Sequence, residues 1–125
     1  MNNTDRLSIV GLEVWARVGC TAEERGFPQR LEVDADLYLP LARAGQQDDL
    51  SLSVDYAAVV RRLSEVLAGG EFRLVESLTE KAADVILGEF PVSRTVVRVR
   101  KRALPGIAFM EIAVERRGRP RRHKM

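Results

Sequence analysis

Few residues in this chain could carry acid–base chemistry, and they fall at restrained positions. The first is Glu76, in the run Leu74-Val75-Glu76-Ser77-Leu78-Thr79-Glu80. Apolar residues recur at Leu74, Leu78, Ala82, Val85 and Ile86, the stripe of a helix. Glu76 lies off that stripe and near the helix start, where free backbone N–H groups and the helix dipole favour a carboxylate. Acceptors and donors then stand side by side, an arrangement matched to a flat heterocycle with an amidine or guanidine edge. Taken alone, such a glutamate is ordinarily just solvated. The second is Lys101, in phase with Thr95, Val97 and Val99 along a predicted strand. A lysine on an apolar row must snorkel, pair or line a cavity, unless the strand has already ended. Tyr56 sits on an apolar helical stripe, Glu24 belongs to the pair Glu23-Glu24, and Cys20 follows a glycine. By residue type alone these three read as core, solvated surface and small filler.

The remaining inventory narrows the chemistry. His123 is the only histidine and Cys20 the only cysteine. A histidine-rich zinc site and a serine or cysteine triad therefore lack their parts. Glycine-rich phosphate loops are absent. Carboxylates, Lys101 and tyrosines are what is left for proton transfer, with no metal and no cofactor expected.

The elements that must position these residues follow from periodicity. Leu7 to Val18 reads as a strand whose apolar phase changes at Val10-Gly11, which predicts a β-bulge at the glycine. Trp15 would then face away from the main apolar row, onto a face covered by another subunit. Residues 19–28 read as a loop. From Gln29 to Leu39 the alternation is clean, with Leu31, Val33, Ala35, Leu37 and Leu39 opposite Glu32, Asp34, Asp36 and Tyr38. Residues 40–53 are polar and irregular. Ser53 or Asp55 can cap a helix carrying Tyr56, Val59, Val60, Leu63, Val66 and Leu67, stopped by Gly69-Gly70. A second helix is expected from about Phe72 to Phe90. Strands over Thr95–Lys101 and roughly Ile107–Arg116 follow, joined by turn chemistry at Leu104-Pro105-Gly106. The order ββααββ predicts an α+β fold, a four-stranded antiparallel sheet with two helices on one face. One sheet face and two edges are left to cover, which self-association would do.

At 125 residues, 46% apolar and 30% charged, the chain reads as one soluble domain. No apolar run approaches membrane-spanning length, and the first residues carry no signal-peptide pattern, so a cytoplasmic location is expected. The net charge of +2 hides an asymmetry: residues 116–125 hold six of the 20 Lys and Arg, leaving 14 basic against 18 acidic residues, a body of −4. Residues 1–117 are read as the domain and 118–125 as a basic, disordered tail. The tail's Arg-Gly-Arg-Pro core resembles an AT-hook for A·T-rich DNA. An acidic body argues against nucleic-acid binding by the domain itself.

Taken together, the chain from Leu7 to about Arg117 resembles the dihydroneopterin aldolase family of the folate pathway. The resemblance is carried by Gly11-Leu12-Glu13-Val14, by Gly19 with Glu24-Arg25 and Gln29, and by Asp48-Asp49-Leu50 and Ser53-Val54-Asp55-Tyr56. It continues through Phe72-Arg73-Leu74-Val75-Glu76-Ser77-Leu78, Val97 to Lys101 and Glu115-Arg116. It departs at Arg102, where many members have proline. What it implies is a tunnelling fold, in which sheets of several subunits close into a ring, as a tetramer or octamer, with active sites between neighbours. It implies that Glu76, helped by the backbone of Leu74, Val75 and Ser77, holds a pterin's amino-pyrimidinone edge. Lys101 and Tyr56 match the family's proton-transfer residues, Glu24 matches the catalytic acid in the loop before the second strand, near that lysine and the substrate's side chain, and Ser53 and Val54 match residues lent to the pocket by a neighbouring subunit. The implied reaction is cleavage of dihydroneopterin to hydroxymethyl-dihydropterin and glycolaldehyde, with the pterin ring as its own electron sink. An epimerase acting on the same side chain is the close alternative, and DNA binding through the tail the distant one.

Overall fold

The computed structural model describes residues 4–102 and 104–118. Its elements in chain order are β1 (Arg6–Val18), α1 (Ala22–Arg25), β2 (Gln29–Tyr38) and α2 (Ala42–Gln47). A 3₁₀ turn (Leu50–Leu52), α3 (Tyr56–Ala68), β3 (Glu71–Phe72), α4 (Val75–Glu89), β4 (Arg94–Lys101) and β5 (Met110–Arg117) follow. The sheet order is β3-β1-β2-β4-β5.

The alternation in β2 places it at the centre. Leu31, Val33, Ala35 and Leu37 are fully buried between the sheet and the two long helices. Val14, Ala16 and Val18 of β1 and Val97 and Val99 of β4 extend that inner face. Onto it α3 brings Val59, Leu63 and Leu67, and α4 brings Leu78, Ala82, Val85 and Ile86. The helix α3 packs on β1, α4 packs on β4 and β5, and the helices pack on each other. Burying each large aliphatic side chain contributes about 1.5–3 kcal/mol, so this single core dominates stability.

The bulge lies where the apolar phase breaks. Ile9 pairs with Ala35 and Leu12 with Val33, so Val10 and Gly11 together oppose Asp34. Gly11 takes φ +73°, a conformation that disfavours any Cβ, and its N–H donates to Asp34 Oδ1 at 2.8 Å. Leu7 and Ile9 before it, and Leu12, Val14, Ala16 and Val18 after it, thereby share one face. Val10 does not join that row: it is exposed.

The expected four-stranded antiparallel sheet needs correction, because the sheet is five-stranded and mixed. The four long strands are antiparallel, and the addition is β3, two residues running parallel to Arg17–Val18. A two-residue strand has no alternation to read. It also displaces the helix start, since Glu71-Phe72 are extended and α4 begins at Val75 rather than Phe72. Short helices occupy both segments read as irregular, α1 within 19–28 and α2 within 40–53. The last strand begins at Met110, later than the expected Ile107. No helix among the described residues is long and apolar enough to cross a membrane. Of the expected tail 118–125, everything past Gly118 lies outside the described residues.

Candidate active site

Three segments far apart in sequence meet at one end of the sheet. Val18, Gly19, Cys20 and Glu24, then Arg73 to Glu76, then Lys101, Leu104 and Met110 line a cleft of about 320 Å³. Other hollows of similar size exist, among them one at Leu39, Pro40, Arg43, Ser51, Leu52, Ser53 and Pro91. Size alone does not choose between them. The first is distinguished by its mix of two carboxylates, a lysine and an arginine, whereas a hollow of the same volume at Arg30, Glu32, Arg100 and Arg102 has one carboxylate, already paired with Arg30 and Arg100.

Each side is held for a local reason. The loop after β1 is fastened to β3 by the Gly19 N–H donating to the Phe72 carbonyl at 3.0 Å. Arg25 donates to the Gly19 carbonyl at 2.9 Å and to Glu71 at 3.0 Å. Thr21 caps α1 by accepting from the Glu24 N–H at 3.2 Å, and its hydroxyl donates to Glu24 Oε1 at 3.3 Å. The Glu24 side chain lies directly over Gly19, where an added Cβ would stand 2.3 Å from the Glu24 Cβ. Glycine is therefore required at 19 for Glu24 to keep its place.

The opposite side is the start of α4. Leu74 is its extended N-cap, with φ −122° and ψ 142°, and offers no side-chain hydrogen bond. The Ser77 and Leu78 N–H groups turn back to the Leu74 carbonyl at 3.2 and 3.4 Å. The N–H groups of Val75 and Glu76 precede the first bond that the helix itself can make. Glu76 is an exposed first-turn acid beside them. Acceptor and donors thus line the same wall of the cleft.

The third side is the end of β4. Thr95, Val97 and Val99 are buried, and Lys101 continues their row as a half-buried residue lining the cleft with Glu24 and Glu76. It pairs in register with Met110 of β5, which lines the cleft beside it. Arg98 and Arg100 point to the other face. There Arg100 meets Asp34 at 2.8 Å, Glu32 at 3.2 Å and Glu111 at 3.2 Å, and Arg98 meets Asp36 at 3.2 Å. The Arg100 guanidinium and the Gly11 N–H together hold the Asp34 carboxyl below its ordinary range, against a desolvation cost.

The structure gathers Glu24, Leu74, Val75, Glu76 and Lys101 into the cleft. Ser77 is exposed one residue past Glu76 and does not line it. Ser53 lines the other hollow, Val54 is buried beside it in the core, and Tyr56 opens α3 with 61% of its surface exposed. Those three are not brought to the cleft of the same chain. Sequence reasoning about chemistry passed over Arg73, Leu104 and Met110 and took Cys20 as filler. None carried a sequence signal: a last strand beginning at Ile107 would not set Met110 opposite Lys101, and it stands there because the strand begins three residues later.

The chain resembles known proteins over most of its length. The family model described as FolB: Dihydroneopterin aldolase matches residues 7–117. A dihydroneopterin aldolase of Bacillus subtilis is 34% identical over 114 residues, covering 89% of this chain and 94% of that one. The crystal structure of the FolB protein of Vibrio cholerae superposes with a TM-score of 0.89 at 30% identity, covering 93% of this chain and 99% of that one. A dihydroneopterin aldolase from Burkholderia thailendensis, bound to guanine, gives a TM-score of 0.76 at 26% identity, covering 92% of each chain.

Proposed function

The chain belongs to the dihydroneopterin aldolase family, and from that membership we propose that its cleft cleaves dihydroneopterin to hydroxymethyl-dihydropterin and glycolaldehyde in folate biosynthesis. The observation that carries the reading is the convergence of Glu76, at an uncapped helix start, with Glu24 and Lys101. The Glu76 carboxylate accepts from the amino and ring N–H groups of the pterin, while backbone N–H groups at Val75 and Glu76 donate to its ring acceptors. Guanine presents the same amino-pyrimidinone edge as a pterin, and a relative 26% identical to this chain holds guanine.

With the edge fixed, the side chain extends toward Lys101 and Glu24. The second-carbon hydroxyl loses its proton to the Lys101 amine or the Glu24 carboxylate. The bond between the first and second side-chain carbons breaks and glycolaldehyde leaves. The electron pair enters the ring's own imine, giving an enamine. Reprotonation of the first carbon by the same proton carrier gives the hydroxymethyl product. Ring anchoring and proton transfer are the only tasks left to the protein.

Ser53, Val54 and Tyr56 fit this scheme as residues lent by a neighbouring subunit, because the start of α3 lies off the chain's own cleft. A tetrameric or octameric ring in the cytoplasm, with sites between subunits, completes the reading. The exposed Trp15 on the outer sheet face supports such assembly. Residues 1–117 form the enzyme, and 118–125 an appended basic tail. The test is incubation with dihydroneopterin, following glycolaldehyde and both side-chain epimers. Glycolaldehyde release supports the aldolase. Epimerised product without net cleavage transfers the chain to the epimerase alternative, and no reaction at all removes the proposal.

A further inference from the structure

We propose that Arg73 makes the cleft selective for a dihydropterin whose side chain ends in a phosphate ester, over the unphosphorylated triol. This rests on the reading above, with the ring's edge at Glu76 and the side chain running toward Glu24 and Lys101. Arginines elsewhere are mostly neutralised: Arg25 by Glu71, Arg62 by Glu65 and Glu89, Arg98 by Asp36, Arg100 by Asp34 and Arg116 by Glu80. Arg73 differs. It is exposed, it lines the cleft, and no carboxylate among the described residues reaches it. Arg17, Arg43, Arg61 and Arg117 also lack an acid among the described residues, but none of them lines the cleft, and Arg17 donates to the Gly26 carbonyl instead. Arg102, one residue past Lys101 and likewise without an acid, lines an adjoining hollow that shares Leu104 with the cleft.

The charges in the cleft divide by task. Glu76 is engaged by the ring, and Glu24 and Lys101 face the reacting side chain. The guanidinium of Arg73 is then the cation without a counterpart, with Arg102 just beyond. A neutral hydroxyl offers a guanidinium no more than water does. A phosphate offers two oxygens in the geometry of its planar fork, and the bond is charge-assisted. The same carbon–carbon bond breaks in either substrate. A phosphorylated one releases phosphorylated glycolaldehyde and the same hydroxymethyl-dihydropterin. Since Arg73 is exposed, the preference is screened by salt.

The test is steady-state turnover by the full chain and by Arg73→Ala and Arg73→Lys. Substrates are dihydroneopterin, its terminal monophosphate and its triphosphate, at low and high ionic strength. The expected result is a preference in kcat/KM of about tenfold for a phosphorylated substrate. That ratio should approach one in Arg73→Ala, persist in part in Arg73→Lys, and shrink with salt in the parent protein. A ratio near one in the parent, or one unchanged in Arg73→Ala, overturns the proposal. Cleavage of the unphosphorylated substrate alone also overturns it and leaves the aldolase reading standing. Failure to cleave any of them removes both.

Discussion

The two long helices lie side by side on the sheet, yet their first turns are built to different ends. At α3, Asp55 accepts from the N–H groups of Ala57 and Ala58 at 3.0 and 3.3 Å. At α4, Leu74 provides no such acceptor, and the first turn opens on the cleft with Glu76 beside it. One helix start is completed within the chain and serves stability. The other is left for something else to complete, which forgoes about 1 kcal/mol of capping. An unsatisfied terminus at a cleft is where a ligand with matching acceptors gains most, because water is the only competitor for those groups.

The strongest challenge to this contrast is to remove the chemistry while leaving the open helix start intact. Lys101→Ala and Lys101→Met should lower turnover about 10²–10⁴-fold, as for other general acid–base groups. Pterin affinity, measured by equilibrium titration, should change far less, because the ring is held at α4. Near-normal turnover in both variants would reduce Lys101 to a snorkelling lysine.

Next is the anchor itself. Glu76→Gln should weaken neopterin binding roughly 10–100-fold, since a charge-assisted hydrogen bond contributes about 1.5–3 kcal/mol. Its thermal stability should hold, as the side chain is exposed. Unchanged affinity in a folded Glu76→Gln protein would show that the open start of α4 is not the ring's anchor.

Exchanging the two starts sharpens the comparison. Asp55→Ala should cost about 1 kcal/mol, read as a melting point lower by a few degrees. Leu74→Asp, in a backbone conformation already suited to an N-cap, should do the reverse. It should stabilise α4 by roughly 0.5–1 kcal/mol while weakening pterin binding, because the new carboxylate competes for the same N–H groups. A stabilised Leu74→Asp protein with undiminished affinity would separate the uncapped terminus from binding.

The smallest effect concerns a carboxylate whose partners are all internal. Asp34 is held below the ordinary aspartate range first by Arg100, and also by Gly11. Its folded value being lower than its unfolded one, it contributes stability above about pH 4, and that contribution is lost as pH falls through the folded value. Solvent screening keeps the contribution under about 1 kcal/mol. Asp34→Asn should therefore flatten the acid limb of a stability-against-pH curve and leave pterin affinity at neutral pH unchanged. An identical acid limb in the variant would dismiss the assignment.

Much of this was legible in the sequence, for identifiable reasons. The alternation of β2 and the stripe of α3 are long enough for period to outvote local accident. The change of apolar phase at Val10-Gly11 is enough to locate the bulge, where both residues are set against Asp34. The row Thr95, Val97, Val99, Lys101 placed the lysine on the inner phase before any tertiary contact was known. Short pieces were not legible: β3 and α1 are held by contacts with distant segments, such as Gly19 to Phe72 and Arg25 to Glu71, and α2 is a six-residue helix with no buried side chain to set a period. The cleft is legible only in its parts. Nothing in local periodicity joins residues 19–24, 73–76 and 101–110, and family resemblance supplied that connection. Arg73 had no sequence signal, since its significance is the absence of a partner among the described residues.

The bulge has a consequence for how β1 can change. Before it, inward residues carry odd numbers, Leu7 and Ile9; after it they carry even ones, Leu12, Val14, Ala16 and Val18. The strand is in effect two reading frames spliced at Val10-Gly11. A straightened β1 that kept every residue could not satisfy both, because plain alternation would turn either Leu7 and Ile9 or Leu12 to Val18 outward; only loss of one residue at Val10-Gly11 itself would restore alternation with Ile9 still opposite Ala35 and Leu12 opposite Val33. A single extra residue thus ties the parity of one half of the strand to the other, and point insertions or deletions on either side are far less tolerable than substitutions.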